Sequence, residues 1–238
     1  MWKDGINSPG RVIDDFVSFI DFAPTFIELA GLKWDQTGMA TTPGRSMTGI
    51  FMAGNDTRQP LRDHVIFGKE RHDVGRPFDQ GYPIRGIIRD GYLYLRNFEP
   101  SRWPAGNPET GYLNSDGSPT KTLILDMRRQ GKELNYWSMN FGKRPGEELY
   151  CIADDPMCMV DLSGKEEFFA LKEDMKKMLF QELSEQEDPR MFGRGDIFLE
   201  YEYADVKTKD FYNRFMAGEP VQAGWVEKTD FETEPIEE

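Results

Sequence analysis

Two apolar runs meet at the dipeptide Asp90-Gly91, and this junction constrains the fold more than any other feature of the sequence. The runs are Ile84–Arg89 and Tyr92–Phe98, and in the second run leucines alternate with tyrosines and an arginine. Asp-Gly readily supplies the two positive φ angles of a type I′ turn, so the sequence predicts an antiparallel hairpin. The alternation is typical of a strand that buries one face.

Two more strands and one long helix complete the regular structure that the patterning predicts. His64–Gly68 and Glu148–Ile152 are short apolar segments bounded by turn residues. Lys165–Glu187 has the periodicity of an amphipathic helix, with a charged face opposite one apolar stripe. We expect that stripe to pack across the sheet, and its members are Phe168, Leu171, Met175, Met178, Leu179 and Leu183.

The remainder of the chain has weaker signals. Phe16–Leu32 is predicted as a helix that Asp21 caps, with Phe22, Phe26 and Leu29 on one face. Most of the segment that follows is expected to be loop, with a short helix near its middle, at Met47–Met52, and a glycosylation sequon at Asn55-Asp56-Thr57.

Two long segments have no clear period. Glu99–Pro119 is predicted to be a loop that exposes Trp103 and Tyr112. Residues 188–238 are rich in acidic residues, glycine and proline, and they suggest an extended tail that wraps a neighbour and frays after Asp230.

The charge distribution limits the kinds of partner. The chain of 238 residues has a formal net charge of -13, which comes from the part after residue 144, with 25 acidic and 10 basic side chains. A basic face is needed to neutralise phosphates, so we expect no nucleic-acid binding. No apolar run approaches the roughly 20 residues of a membrane helix, and we expect no membrane partner. Cys151 and Cys158 suit either two free thiols or one local disulfide.

A group of charged residues follows the first predicted strand, and we call it the strand-end cluster. Its members are Lys69, Glu70, Arg71, His72, Asp73 and Arg76. Polar groups presented at the end of a buried strand can converge on a ligand, with Arg71 as a planar fork for an anionic oxygen. The alternatives are a solvated loop and, for His72, a structural hydrogen bond. His64 is expected to be structural.

Several segments, in this order, resemble the C-terminal part of a sulfatase of the alkaline-phosphatase superfamily. They are Phe19-Ile-Asp-Phe-Ala-Pro-Thr-Phe-Ile-Glu-Leu-Ala-Gly-Leu32, Gly44-Arg-Ser-Met-Thr-Gly-Ile50, Ile84-Arg-Gly-Ile-Ile-Arg-Asp-Gly-Tyr-Leu-Tyr-Leu95 and Glu147-Glu-Leu-Tyr-Cys-Ile-Ala-Asp-Asp-Pro-Met-Cys-Met-Val-Asp-Leu162. The resemblance implies an α+β fold, in which a C-terminal helix packs on a small four-stranded antiparallel sheet. It also implies that an N-terminal helical segment belongs to a missing α/β sulfatase core.

A narrower resemblance is to the N-sulfoglucosamine sulfohydrolase (heparan N-sulfatase) branch. It rests on Gly68-Lys-Glu-Arg-His72, Arg102-Trp-Pro104 and Asp188-Pro-Arg-Met-Phe-Gly-Arg-Gly-Asp-Ile-Phe198. It implies that residues 1–60 end the sulfatase core, 61–187 form a C-terminal subdomain and 188–238 form an acidic tail. In that arrangement the strand-end cluster would contact a sulfated glycosaminoglycan-type sugar, and the missing N-terminal half would be its protein partner.

The chain lacks the residues that carry sulfatase chemistry. The family uses a formylglycine made from the first residue of C/S-x-P-x-R, together with a calcium ion held by carboxylates. Asn7-Ser-Pro-Gly-Arg11 and Thr41-Thr-Pro-Gly-Arg45 match only the Pro and Arg positions, and Asp14-Asp15 and Asp154-Asp155 read as turns or helix starts. We expect no cofactor in this chain, and both calcium and formylglycine in the N-terminal half.

Two other functions compete with the sulfatase interpretation. One is a stand-alone carbohydrate-binding module, in which Trp103, Tyr112 and the basic residues near them would form the platform. The other is a fragment of a related phosphatase or phosphodiesterase. By family resemblance alone, the compartment would be periplasmic, extracellular or lysosomal.

Overall fold

The structure is a computed structural model, and it describes residues 5–53 and 60–236. In these residues the α-helices are α1 (Phe22–Leu29), α2 (Thr48–Met52), α3 (Pro119–Arg129), α4 (Leu134–Phe141), α5 (Phe169–Glu185), α6 (Ile197–Glu200) and α7 (Phe211–Met216). The strands are β1 (His64–Lys69), β2 (Ile84–Arg89), β3 (Tyr92–Asn97) and β4 (Glu147–Cys151). The sequon at residues 55–57 lies outside the described residues.

The four strands form one antiparallel sheet in the order β1-β2-β3-β4, which confirms the predicted α+β fold. The register aligns Ile66, Ile87, Tyr94 and Leu149 in one row across the sheet. Asp90 and Gly91 have φ angles of 50° and 78°, as the predicted hairpin turn requires.

Helix α5 packs across one face of this sheet, as its apolar stripe predicts. Leu179 is fully buried, and it belongs to a core with Ile87, Tyr94 and Leu149. The helix begins at Phe169. The residues Glu166–Phe168, which were predicted to be its first turn, form a 3₁₀ turn instead. His64 is structural, since its imidazole lies 2.8 Å from Glu182 on α5.

Helix α1 is shorter than predicted and does not bury its aromatic face. Phe19, Phe22 and Phe26 stack in a row and are 88%, 42% and 64% exposed. Asp21 does not cap the helix with its side chain. Its buried carboxylate accepts hydrogen bonds from the Arg45 backbone N–H and the Arg62 guanidinium instead, which fixes the loop that leads to the sheet.

Helices α3 and α4 form a pair that the sequence patterning did not predict. They enclose Leu125, Trp137 and Phe141, and Tyr112 packs on Phe141 with a centroid distance of 4.8 Å. Tyr112 is fully buried, so the prediction that it is exposed was wrong. The reason is that its ring fills the gap between the long loop and α4.

The segment after α5 is neither uniformly extended nor loose, which corrects the prediction of an extended tail. Phe211 and Ala223 in this segment pack on Val74 and Leu113, and α6 and α7 interrupt the extended stretches. Asp230 is fully buried and pairs with Lys121 at 3.2 Å, so the packed part reaches at least this residue. The division into 1–60, 61–187 and 188–238 stays a prediction.

Candidate functional site

The strand-end cluster lies where β1 ends and the chain turns toward β2. Lys69 is the last residue of β1 and pairs with Ile84, the first residue of β2. Val74 anchors the following loop because it is fully buried against Phe211 of α7. The loop therefore has a packed base and a polar side that faces outward.

Glu70 is the anchor of the polar side. Its carboxylate accepts hydrogen bonds from Arg85 at 2.6 Å and from two nitrogens of Arg190 at 2.8 and 2.6 Å. Arg85 also donates to Asp188 at 2.6 Å, so these four residues form one partly buried ion network. Burial lowers the pKa of Arg85, but the bonds to Asp188 and Glu70 outweigh burial and raise it.

Aromatic rings enclose the ion network. The Arg190 guanidinium lies 5.3 Å from the Phe98 ring centroid and 5.6 Å from that of Phe198. Phe198 also lies 5.8 Å from the Arg85 guanidinium. The shielding from water strengthens the charge pairs and fixes the position of Glu70.

The segment after α5 also holds Arg71 and Asp73. Arg71 donates to the Tyr201 carbonyl at 2.6 Å, and its guanidinium stacks on Tyr203 at 5.4 Å. The Tyr203 hydroxyl donates to Asp73 at 3.2 Å, while the Val74 backbone N–H donates to the same oxygen. Burial and the Asp73 carboxylate raise the pKa of Tyr203. Arg71 retains donors beyond the one that Tyr201 occupies.

His72 and Lys69 are the exposed members of the cluster. The His72 Nδ1 lies 3.5 Å from the Asn114 side-chain amide. The packing around Lys69 and the positive charge of Arg76 lower the pKa of the Lys69 ammonium. Together with the half-buried Arg71, these residues place three nitrogen-bearing side chains at the end of β1 and the start of the loop that follows.

Arg76 differs from the others because it is only 1% exposed. Its guanidinium donates to the carbonyls of Trp103 at 2.8 Å and Pro104 at 2.7 Å. Burial and the nearby Arg102 charge lower the pKa of Arg76 to about 10. Arg76 thus ties the strand-end loop to the loop after β3. Its contact with a ligand, like that of the other five members, stays a prediction.

From the sequence, Arg85 and Tyr203 were not assigned to the site. Asp188 and Arg190 were noted only as part of the segment that resembles the N-sulfoglucosamine sulfohydrolase branch. The sequence feature that pointed to these residues was the Asp188-Pro-Arg190 segment, which is far along the chain from Glu70. Only the three-dimensional contact shows that this segment holds the cluster in place.

The residues that imitate sulfatase motifs have local structural roles. The Arg45 guanidinium donates to the Leu61 carbonyl at 2.6 Å, and Asp15 accepts the Leu61 backbone N–H at 3.1 Å. Asp155 accepts the Val160 backbone N–H at 2.8 Å in the turn after β4. Among residues 5–53 and 60–236, no group of three His, Cys, Asp or Glu side chains is placed to hold a metal ion. In the same residues Cys151 and Cys158 are free thiols, and no helix is long and apolar enough to cross a membrane.

Comparisons with known proteins give the sulfatase resemblance independent support. No family model matches the chain. Two curated ulvan-active sulfatases from Formosa agariphila are similar to it, with 24% identity over 186 residues and 26% over 158 residues. The chain is sulfatase-like. These alignments cover 76% and 64% of the sulfatase-like chain, which spans 31% and 22% of the two relatives.

A solved structure, described as a 2-O GAG sulfatase, is similar to the sulfatase-like chain with 15% identity and a TM-score of 0.49. The superposition covers 78% of the chain and 29% of that structure.

Proposed function

We propose that this chain is the C-terminal portion of a sulfatase that removes sulfate groups from a glycosaminoglycan-type sugar. The observation that carries the proposal is the anchored strand-end loop, which holds Arg71 and His72 outward while Glu70 is fixed below them. A positioned guanidinium and imidazole suit the anionic oxygens of a sulfated sugar. The similarity to two ulvan-active sulfatases supports the same assignment.

The finer proposal is a substrate of the N-sulfoglucosamine type. It is supported by the resemblance of three segments to that branch, and two of them meet in the structure. Glu70 from the first segment is bound by Arg190 from the third, while Arg102 of the second donates to the Gly81 carbonyl near the strand-end loop. The alternative substrate is a sulfate ester of the sugar, and the same experiment tests it.

The nucleophile and the cation would come from the remaining part of a longer sulfatase. The described residues do not supply a carboxylate set for calcium or a convertible Cys or Ser, so the role of this chain is to bind and orient. The stacked face of Phe19, Phe22 and Phe26 suits the packing of that remaining part, because it is apolar and exposed.

The test compares enzyme variants in which the chain is combined with the remaining sulfatase half. Arg71→Ala and His72→Ala should each lower kcat/KM by about ten- to a thousand-fold, as expected when charge-assisted hydrogen bonds to the substrate are lost. Thermal stability should change little in His72→Ala, whereas Arg71→Ala also removes the contacts with Tyr201 and Tyr203, so its Tm is measured beside its kinetics. Arg89→Ala is the matched control, because Arg89 lies at the opposite end of β2.

The choice of substrates separates the alternatives. The panel consists of N-sulfoglucosamine, a glucosamine sulfate ester and a phosphate monoester. Hydrolysis of only the phosphate monoester would favour the phosphatase alternative. Wild-type kinetics in both Arg71→Ala and His72→Ala would remove the strand-end cluster from the substrate site.

A further inference from the structure

The face of the sheet opposite α5 forms the floor of a groove. Ile84 and Leu95 line this floor, and Tyr136 and Met139 of α4 form one wall. Met157, in the turn after β4, belongs to the lining as well. The groove has a volume of about 740 Å³. That volume lies within the roughly 300–1,000 Å³ of small-molecule sites.

A buried carboxylate lies in the groove. Glu148 is 5% exposed, and one of its oxygens accepts a hydrogen bond from the Asn97 side-chain amide at 2.6 Å. The other oxygen accepts one from the Tyr150 hydroxyl at 2.6 Å. The Asn97 amide also donates to the Pro145 carbonyl at 2.7 Å, which determines how the amide is oriented. The carboxylate is therefore held rigidly by neutral donors.

Two polar atoms that line this groove have no hydrogen-bond partner among the described residues. They are the Tyr82 hydroxyl and the Asn97 side-chain oxygen, and the two side chains are 2% and 0% exposed. Burial and the nearby Glu148 charge raise the pKa of Tyr82 to about 12, so this hydroxyl keeps its proton. Buried polar groups are nearly always paired, so these two atoms leave hydrogen-bonding capacity that a water molecule or a sugar hydroxyl would satisfy.

The groove and the strand-end cluster meet at one edge of the sheet. Lys69, Ile84 and Asn97 form one row across three strands. The Tyr82 ring lies 6.0 Å from the Lys69 ammonium and 5.9 Å from the Arg76 guanidinium. The groove and the exposed Lys69 are therefore neighbours, and one sugar chain would reach both.

We infer that the groove binds an uncharged sugar residue next to the sulfated one, an inference that rests on the proposed function. The apolar walls, with the half-exposed ring of Tyr136, suit the C–H face of a sugar. Asn97 and Glu148 offer acceptors for sugar hydroxyls. The charged lining residues are Glu148, Asp161 and Arg144, and two carboxylates against one guanidinium disfavour a second sulfate or a uronate.

The test measures sugar binding by the full chain and requires no catalysis. N,N′-diacetylchitobiose is the neutral probe, N-sulfoglucosamine is the anionic one, and amide NMR shifts report where each binds. The neutral probe should shift the Asn97 side-chain amide. Tyr82→Phe should weaken its binding by about three- to tenfold, the effect of one hydrogen bond, without lowering Tm, because the hydroxyl has no described partner in the free chain.

Tyr112→Phe is the matched control, since Tyr112 bonds Trp137 in a different core. Its affinity for the neutral sugar should equal that of the wild type. Absence of shifts in the groove, equal affinity in Tyr82→Phe, or preference of the groove for the anionic probe would each overturn the inference. So would size-exclusion data in which the groove mediates self-association.

The two proposals can fail separately. If Arg71→Ala and His72→Ala impair sulfatase activity but the neutral sugar does not bind, only the groove inference is wrong. If the sugar binds in the groove and those variants have normal kinetics, the groove stands as a sugar site and the strand-end assignment fails.

Discussion

Glu70 and His72 are two residues apart, yet they have opposite environments. Glu70 turns inward to Arg85 and Arg190, whereas His72 is exposed beside Asn114. The difference arises because the strand ends at Lys69 and the chain then turns, so that residues two apart no longer share a face as they would in a strand. At the residue scale, the cluster therefore contains an anchor and a contact surface.

Breaking the anchor should cost stability. Glu70→Gln removes the charge that two partly buried guanidiniums share, and it should lower the free energy of unfolding by about 2–4 kcal/mol. Urea denaturation measures this change. Glu219→Gln is the control, because its pair with Arg214 is exposed and should contribute less than about 1 kcal/mol. Equal effects in the two variants would contradict an anchoring role for Glu70.

At the element scale, the sequence signals were strongest where one local rule sufficed. The Asp-Gly turn and the stripe of α5 are both confirmed, since turn geometry and helical period depend on neighbours in the chain. The α3–α4 pair was missed because its core depends on Tyr112, a residue from a loop.

The hairpin turn gives a prediction about backbone strain. Gly91→Val should destabilise the protein by about 1–3 kcal/mol, because a β-branched residue is strained at φ 78°. The added Cβ would also lie 3.1 Å from the Ala153 Cβ. Gly164→Val is the control, since its Cβ would have no atom within 4 Å and its φ is not positive. Thermal unfolding of both variants tests this, and an unchanged Gly91→Val would argue against the strained turn.

The packing of α5 gives a second prediction at this scale. Leu179→Ala should lower the free energy of unfolding by roughly 2–5 kcal/mol, because the side chain is fully buried between helix and sheet. Leu123→Ala on α3 is the same chemical change at a side chain that is 56% exposed, and it should have a small effect. Chemical denaturation of the pair is the measurement. Similar losses in the two variants would mean that α5 does not supply the main core.

At the scale of the whole molecule, the described residues offer two further surfaces for partners besides the strand-end cluster. The Phe19–Phe22–Phe26 face is exposed and apolar, and the groove on the sheet combines apolar lining residues with buried polar side chains. We propose that the apolar Phe19–Phe22–Phe26 face contacts polypeptide. We propose that the groove binds sugar, because buried polar groups select hydrogen-bonding ligands. We therefore propose that the chain supplies binding surfaces and that the catalytic residues lie outside it.

This assignment predicts that the purified chain alone is inactive. It should not hydrolyse an aryl sulfate or N-sulfoglucosamine above background, with or without calcium, since the C/S-x-P-x-R motif is absent from its sequence. The assay measures sulfate release in a preparation checked for contaminants. Combination with the remaining sulfatase half is the positive control. Turnover by the isolated chain would refute the proposal that the catalytic residues lie outside it.

The sequence by itself determined the sheet, its hairpin and the helix that covers it, because hydrophobic period and turn chemistry act over a few neighbouring residues. It also identified the charged cluster after β1. Only the tertiary structure decided that Glu70 and Arg76 serve the scaffold while Arg71 and His72 face outward. The roles of Glu70 and Arg71 depend on Arg190 and Tyr203, more than a hundred residues along the chain, and that of Arg76 depends on Trp103 and Pro104 in another loop. Contacts between residues so far apart in sequence follow from packing and produce no local pattern in the sequence.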